Sequence, residues 1–226
     1  MIDIKKELND NIDQKYQKFH TGIIPGAKEI LGVRVPVLRD ISKRICTEDW
    51  RSFLKEPAVS HEEQMLKALV IGSAAMSVEE RLALTKEFVP EIGNWAVCDT
   101  LCGSWKVKKQ DKEKLWSYCL DLMRTDDEFK MRVSAVMMLY HFVDDDHIDD
   151  VLRSLTSRYH PGYYYRMGAA WALADCFIKF PEKTEPMLFL DSLDKDIRNK
   201  AVQKISDSFR VSKEDKERLK DRKRTC

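Results

Sequence analysis

RVSAVMML at residues 132–139 is the stretch of sequence that decides the fold, because its pattern returns twice further along the chain. An arginine, a small residue and an aliphatic residue stand at offsets 0, 3 and 7 from Arg132, and again from Arg166 and Arg198, which are 34 and 32 residues apart. The small residue allows neighbouring helices to approach closely, and the aliphatic residue packs between them. One helix pair per repeat of this length is typical of an α-solenoid. An irregular helical bundle with three chance matches is the alternative.

The rest of the chain also favours helices. Eight glycines and seven prolines leave few helix breakers in 226 residues, and no long segment alternates polar and apolar residues as a half-buried strand does. The length fits a single all-α domain over residues 1–226, with a basic tail from about residue 211. We predict an opening helix over residues 2–19, a helix that begins at Pro36, a short helix capped by Thr47, and a pair over 61–76 and 78–89 separated by a cap at Ser77.

Charge limits the functional classes. Lys and Arg number 39 and Asp and Glu 38, so the net charge is close to zero, whereas nucleic-acid binders are commonly more basic. A nucleic-acid role therefore requires uneven placement of charge. Residues 194–226 carry 12 basic and 7 acidic side chains, and residues 144–150 form an acidic cluster. This segregation fits a protein that binds a polyanion on one face, and a solvated terminal helix explains the basic segment equally well.

Motifs for metals and cofactors are missing from the sequence. It has no H-E-x-x-H, P-loop or dinucleotide-binding motif, and its five histidines are scattered. Its six cysteines form no C-x-x-C pair, the N-terminus has no signal-peptide pattern, and no apolar run approaches the ~20 residues of a membrane span. We expect buried free thiols, a cytoplasmic location, and no metal or organic cofactor.

Trp95-Ala96-Val97-Cys98-Asp99 is the most informative segment for chemistry. On a helix, the i, i+4 spacing puts the indole and the carboxylate on one face, one turn apart. An aromatic wall beside an anion suits a cationic or electron-poor ligand. A core tryptophan next to a capping or ion-paired aspartate is the structural alternative. Trp171, two residues beyond Ala169, is a second candidate wall or another core residue.

Basic residues stand at the starts of the repeated helices and directly after Trp105. Arginine binds phosphate through two parallel hydrogen bonds, and a ladder of ion pairs between repeats is the alternative role. We expect Arg132 and Arg166 to be partly accessible on one concave surface. The candidate DNA-binding residues are Lys106, Lys108, Lys109, Arg166, Arg198 and Lys200.

Four segments, in this order, resemble the AlkD-like DNA alkylation repair proteins: residues 30–39, residues 94–99, Arg132 in residues 129–132, and Trp171 in residues 168–171. The resemblance spans residues 10 to 210, approximately. It implies a curved α-solenoid of HEAT-like antiparallel helix pairs whose concave basic face holds duplex DNA. Active members of this family excise N3- and N7-alkylated purines without turning the damaged base into a deep pocket.

Carried over residue by residue, the resemblance implies that Asp99 is the catalytic carboxylate and that Trp95 and Trp171 are aromatic walls around the lesion. It implies that Arg132 contacts the DNA backbone. Asn94 and Ala174 depart from the family, whose active members can carry an aromatic residue and an arginine there. The implied protein is a monomeric, monofunctional alkylpurine glycosylase acting on double-stranded DNA. A non-catalytic HEAT-repeat binder of bent or branched DNA, and a protein scaffold without a nucleic-acid role, are the alternatives.

Overall fold

The computed structural model describes residues 2–224, and within them the fold is built from helices. This part of the chain contains fourteen α-helices, two 3-10 turns at Val89–Glu91 and Lys109–Asp111, and one isolated bridge between Glu29 and Ser60 in place of any sheet. The predicted all-α class is confirmed. None of the helices in residues 2–224 is long and apolar enough to cross a membrane. Two compact units divide the structure, unit 1 up to Lys112 and unit 2 from Glu113. The single HEAT-like domain and its curved shape stay predictions.

Unit 1 is organised around α5. Eleven of the thirteen residues of α5 are buried, so this helix lies inside the unit and not on its surface. Helices α3 and α7 flank α5, and α4 and α6 also contact it. The helices of unit 1 are α1 Ile4–Asp10, α2 Gln14–Ile23, α3 Val35–Ile45, α4 Trp50–Lys55, α5 His61–Ser73, α6 Val78–Phe88 and α7 Trp95–Ser104.

Glu62 on α5 fixes the segment between α2 and α3. Its buried carboxylate accepts hydrogen bonds from the backbone N–H groups of Leu31, Gly32 and Val33 at 2.9, 2.8 and 3.2 Å. Three donors compensate the loss of water around a buried charge. Gly32 has a φ of +94°, and a Cβ there would lie 2.6 Å from the Cβ of Gln17, so only glycine fits.

A second close approach sets the end of α7 against α5. A Cβ on Gly72 would lie 2.4 Å from the Cβ of Ser104 and 2.7 Å from its carbonyl carbon. The backbone N–H of Lys106 donates to the carbonyl oxygen of Gly72 at 3.2 Å. The absence of a side chain on Gly72 therefore determines where the chain leaves α7, and this exit positions the basic segment described below.

Unit 2 contains a row of three helices with α11 in the middle, packed against α9 and α13. Helices α10 and α12 contact each other and α11, and α14 contacts α13. The helices of unit 2 are α8 Lys112–Met123, which begins at the last residue of unit 1, α9 Glu128–His141, α10 Ile148–Thr156, α11 Tyr163–Lys179, α12 Pro181–Leu188, α13 Lys195–Asp207 and α14 Lys213–Arg224.

The repeat found in the sequence coincides with this row. Its three copies lie on α9, α11 and α13, in the order of the chain. All the small and aliphatic positions of the repeat are buried, so their predicted packing role is confirmed. These positions are Ala135, Leu139, Ala169, Leu173, Ala201 and Ile205.

Two predicted helix starts are wrong, and side-chain caps explain why. The single helix expected over residues 2–19 is broken, because the carboxylate of Asp13 accepts from the N–H groups of Lys15 and Tyr16 and begins α2. The short helix expected to be capped by Thr47 is capped by Asp49, which accepts from the N–H of Ser52. Ser77 caps its helix as predicted.

The basic C-terminal segment forms α14, and two of its arginines are neutralised inside unit 2. Arg218 and Arg222 pair with Glu185 of α12 at 2.9 and 3.2 Å. The guanidinium of Arg222 also lies 4.6 Å from the ring centroid of Phe189, while Leu219 is fully buried. The segment from residue 211 is therefore a packed helix over 213–224, and residues 225 and 226 lie outside the described range.

The cysteines within the described residues are free thiols, as predicted. Cys98, Cys102, Cys119 and Cys176 are buried, and Cys46 is partly exposed. Burial raises the pKa of the Cys119 thiol, and it raises the pKa of the Cys176 thiol to about 12. Such thiols stay protonated and unreactive. Cys226 lies outside the described residues.

Candidate active site

Helix α7 begins with a side-chain cap that fixes the orientation of the first candidate residue. Asn94 is buried, and its Oδ1 accepts a hydrogen bond from the N–H of Val97 at 3.1 Å. Asparagine is one of the strongest helix caps, so the departure from the family at this position has a structural role here. The next residue, Trp95, is the first of the helix.

Trp95 and Asp99 share the outward face of α7. Most of the helix is apolar and packed into unit 1, whereas Trp95 and Asp99 are half-buried and Gly103, one turn further on, is exposed. The predicted pairing of an indole with a carboxylate one turn away is therefore realised on the side of α7 that leaves the core. Glycine at position 103 adds no side chain to this face.

The ring of Trp95 is held in place by the end of α2. Its Nε1–H donates to the carbonyl oxygen of Ile23 at 3.1 Å. Ile23 is the last residue of α2, where carbonyl groups have no partner within the helix. The bond satisfies one of these carbonyls and fixes the indole plane, while part of the ring remains accessible.

Three cations follow α7 directly. Residues 105–108 lie outside any helix, with an extended backbone at Trp105 and Lys108. Trp105 is buried, while Lys106, Lys108 and Lys109 are exposed. Among residues 2–224, no carboxylate lies within ion-pairing distance of these three ammonium groups. Their charge is therefore available to an anionic ligand.

A cavity of about 340 Å³ opens beside these lysines, between Ser73–Val78 and Trp105–Lys108, with Asp111 on its rim. Buried Arg81 lines it, but its guanidinium is already engaged. It donates to the carbonyl oxygens of Ile71 and Ala74, at the end of α5, and lies 5.6 Å from the ring centroid of Trp105. Burial lowers the pKa of Arg81. This arginine closes the end of a helix, and the accessible cations of the cavity are the lysines.

In unit 2, Trp171 lies half-buried on α11 against Tyr140 of α9. Their ring centroids are 5.9 Å apart at an interplanar angle of 83°, an edge-to-face contact. Asp175, one turn after Trp171, pairs with Arg210 at 2.8 Å. The segment Trp171-Ala172-Leu173-Ala174-Asp175 thus repeats the Trp-Ala-x-x-Asp spacing of residues 95–99. Asp175 and Arg210 are not among the residues predicted from sequence, although this repeated spacing was the signal for the aspartate.

The family of the chain follows from a comparison with known protein families. A family profile described as DNA alkylation repair enzyme matches residues 4–205, which is most of the chain. The chain belongs to the DNA alkylation repair enzyme family. A search of curated proteins found no match. Membership makes this protein a DNA repair enzyme, with DNA as the substrate that its family implies.

The described residues of this DNA alkylation repair enzyme contain no group of three or more His, Cys, Asp or Glu side chains placed to hold a metal ion. Trp95, Asp99 and the three lysines after α7 are the predicted site residues of unit 1. Lys200, predicted as a DNA contact in unit 2, is exposed on α13, where its ammonium donates to the side-chain oxygen of Gln203 at 3.2 Å.

The repeated arginines of this DNA alkylation repair enzyme differ from the prediction. Arg132 was expected to be partly accessible, but it is only 4% exposed, and its Nη1 donates to the carbonyl oxygen of Tyr164 on α11 at 2.7 Å. Arg198 is also buried and donates to the carbonyl oxygens of Leu190 and Leu193. Arg166 remains partly exposed and pairs with Asp196 of α13. The Arg166–Asp196 pair fits the alternative of ion pairs between repeats. Arg132 joins α9 to α11 through a backbone hydrogen bond instead, and Arg198 bonds the loop before its own helix.

Gly168 explains how Arg132 reaches its acceptor. A Cβ at Gly168 would lie 3.2 Å from the Cγ of Arg132, so the arginine stem runs over the bare backbone of α11. The small residues Gly168, Ala169 and Ala170 therefore pack closely in the core, and Trp171 follows them directly on α11. We assign Arg132 to the support of the helix that carries Trp171.

Proposed function

We propose that this protein is a monofunctional DNA glycosylase that excises N3- and N7-alkylated purines from duplex DNA by hydrolysing the N-glycosidic bond without deep base flipping. The observation that carries the proposal is the outward face of α7, where Trp95 and Asp99 lie one turn apart in a DNA alkylation repair enzyme. The chemistry needs neither a metal nor an organic cofactor.

The substrate explains why one carboxylate suffices. Alkylation at N3 or N7 makes the purine cationic, so the bond between C1′ and the base nitrogen breaks with its electron pair moving to the base, and the base leaves neutral without a general acid. The sugar then carries oxocarbenium character. Asp99 stabilises this positive charge and orients the water whose oxygen bonds to C1′, and it accepts the proton that the water loses.

Trp95 favours the same charges through its ring face. An indole attracts a nearby cation by ~0.5–2 kcal/mol, depending on how dry the contact is. The hydrogen bond to Ile23 fixes the orientation of the ring before substrate binds, so less side-chain entropy is lost on binding. We propose the same type of aromatic contact with the substrate for Trp171 in unit 2.

The lysines supply affinity without reading sequence. Lys106, Lys108 and Lys109 are exposed and lack carboxylate partners among residues 2–224, so we assign them to DNA phosphates, together with exposed Lys200 and partly exposed Arg166. Contacts with phosphate position the duplex and carry no base preference. Because these phosphate contacts do not distinguish bases, the lesion is selected by the instability of the alkylated nucleotide and by its contacts with the aromatic faces.

The test is single-turnover release of free base from duplexes that carry one N7-methylguanine or one N3-methyladenine. We expect release of the free methylated base, with an intact abasic strand that alkali then cleaves. An undamaged duplex of the same sequence is the control. Tight binding without release would favour the non-catalytic binder. The proposal is overturned if the protein shows no binding and no release.

A further inference from the structure

Unit 2 carries a continuous strip of aromatic and charged side chains that ends at a fully exposed phenylalanine. Tyr140 of α9 contacts the ring of Trp171 on α11 edge to face. Asp175 lies one turn after Trp171 and binds Arg210, in the turn between α13 and α14. Phe209, the neighbour of Arg210, is 103% exposed relative to its reference value. The strip therefore runs from α9, the first helix of the row, over α11 to the turn that follows α13.

Arg210 is held at one point and accessible elsewhere. Its Nη2 donates to the Oδ1 of Asp175 at 2.8 Å, while 62% of its side chain remains exposed against 16% for Asp175. A guanidinium has five N–H groups, and the structure engages one nitrogen of three in a side-chain bond. The carboxylate thus orients the arginine and leaves the donors of Nη1 and Nε for a ligand, in the planar geometry that suits phosphate.

Phe209 has no packing role within unit 2. A single exposed apolar residue is ordinary on a protein surface and indicates nothing by itself. Here the ring stands beside an oriented arginine and at the end of the strip that contains Trp171. On duplex DNA, proteins combine cations on the phosphates with apolar side chains that contact the sugars or enter the minor groove.

We propose that the turn between α13 and α14 is a second DNA contact, in which Arg210 binds a backbone phosphate and Phe209 packs against the sugar of an adjoining nucleotide. The carboxylates of Asp175, Asp207 and Glu214 offset the charges of Arg210 and Lys213, so the attraction for phosphate comes from the unbonded N–H donors of Arg210 and not from local net charge. This inference rests on the proposed function, because it takes duplex DNA as the ligand. It adds two binding residues, Phe209 and Arg210, that lie outside the family's matched range of residues 4–205.

The experiment measures the affinity of a fluorescent duplex as a function of salt for the parent, Phe209→Ala and Arg210→Gln. We expect Phe209→Ala to weaken binding about tenfold, because the apolar contact of the ring with the sugar is lost. Arg210→Gln is expected to reduce the slope of log affinity against log salt by about 1, because one phosphate contact disappears. Arg210→Lys retains the charge and is expected to keep the parent slope.

Tyr159→Ala is the matched control, because Tyr159 is 56% exposed in the same unit but lies before α11 and outside the strip. Melting temperatures of all variants should equal the parent value, since the substituted groups are exposed. If Phe209→Ala and Arg210→Gln bind as the parent does while the parent releases methylated base, the turn is no DNA contact and the glycosylase proposal stands. A parent that neither binds DNA nor releases base overturns both.

Discussion

The indole N–H of Trp95 donates to the carbonyl oxygen of Ile23 at 3.1 Å, across 72 residues of sequence. This bond links the first residue of α7 to the last residue of α2, so the proposed aromatic wall is oriented by a backbone group. Backbone acceptors do not change rotamer, and the ring plane is therefore better fixed than a contact between two side chains would make it.

Trp95 variants separate the ring face from its anchor. Trp95→Phe keeps an aromatic face but loses the N–H donor, so we expect base release to fall about 5- to 30-fold as the ring loses its orientation. Trp95→Ala removes both the ring face and the donor, so the rate of base release should fall further. Single-turnover release measures both effects, and a Trp95→Ala protein with parent activity contradicts the assignment. Stability should change little with Phe, since water can reach the freed carbonyl.

Asp99 is expected to be required for base release and dispensable for DNA binding. Asp99→Asn removes a negative charge that repels phosphate, so affinity should equal or slightly exceed the parent value. Release should fall ~10²–10⁴-fold, because the sugar cation loses its counter-charge. Asp40→Asn, at an exposed ion pair with Lys43 in the same unit, is the matched control and should retain activity. An active but destabilised Asp99→Asn protein would mean that Asp99 has only a structural role.

Removal of cations after α7 should change the salt dependence of DNA binding. If the parent neutralises about five phosphates, log affinity should fall with log salt at a slope of roughly −4 to −5. The double variant Lys106→Gln, Lys108→Gln should reduce that slope by about 2. Lys43→Gln, Lys55→Gln removes two exposed charges from α3 and α4 and should keep the parent slope. Equal slopes for both double variants would remove the basic segment from the interface.

Gly72→Ala tests the close approach of α5 and α7. The new Cβ would lie 2.7 Å from the carbonyl carbon of Ser104, and backbone cannot rotate away. We expect the free energy of unfolding to fall by ~1–3 kcal/mol. Gly22→Ala is the control, because nothing lies within 4 Å of a Cβ there and Gly22 is inside α2. That variant should gain ~0.5–1 kcal/mol in chemical denaturation.

His61 predicts a loss of stability in acid. Both of its ring nitrogens are buried without a hydrogen-bond partner, and its ring lies edge-on to His20, which stacks on Tyr16. Burial, partly offset by the carboxylate of Glu62, lowers the pKa of His61 to about 4. Burial also lowers the pKa of His20.

The direction follows from proton binding. The unfolded chain binds a proton on His61 near pH 6.5, whereas the folded chain binds it only near pH 4. Protonation of His61 therefore leaves the free energy of unfolding unchanged above pH 6.5 and lowers it as the pH falls from 6.5 toward 4. The loss is roughly 3 kcal/mol over that range. Chemical denaturation at several pH values should show this decrease in the free energy of unfolding for the parent, and a smaller decrease for His61→Gln. The same loss in both proteins would assign it to other groups.

Local spacing was enough to predict the face of α7. Trp95 and Asp99 are four residues apart on one helix, so helical geometry alone brings them together. The burial of Ala135 and Ala169 followed in the same way from a repeated pattern. These features depend on periodicity within one element or between equivalent elements, which a sequence displays directly.

Burial of the repeated arginines could not be predicted in this way. The acceptors of Arg132 and Arg198 are backbone carbonyls, and every residue has one, so the sequence contains no signal for the partner. The pairing of Asp175 with Arg210 joins an aspartate in mid-helix to an arginine 35 residues later in a turn. Only the packing of α13 on α11 decides that these two side chains meet.

The direction in which the three arginines point has a consequence for the growth of the row. Arg132 and Arg166 both reach forward, to the helix that follows in the row, whereas Arg198 turns back to carbonyls of the loop before its own helix. The arginines of the first two copies thus find their acceptors on the next helix of the row, whereas the arginine of the third copy needs no further helix. A further copy placed after α13 would therefore lack the arginine contact that joins the first two copies to their successors, because the guanidinium of Arg198 is bonded to the loop before α13.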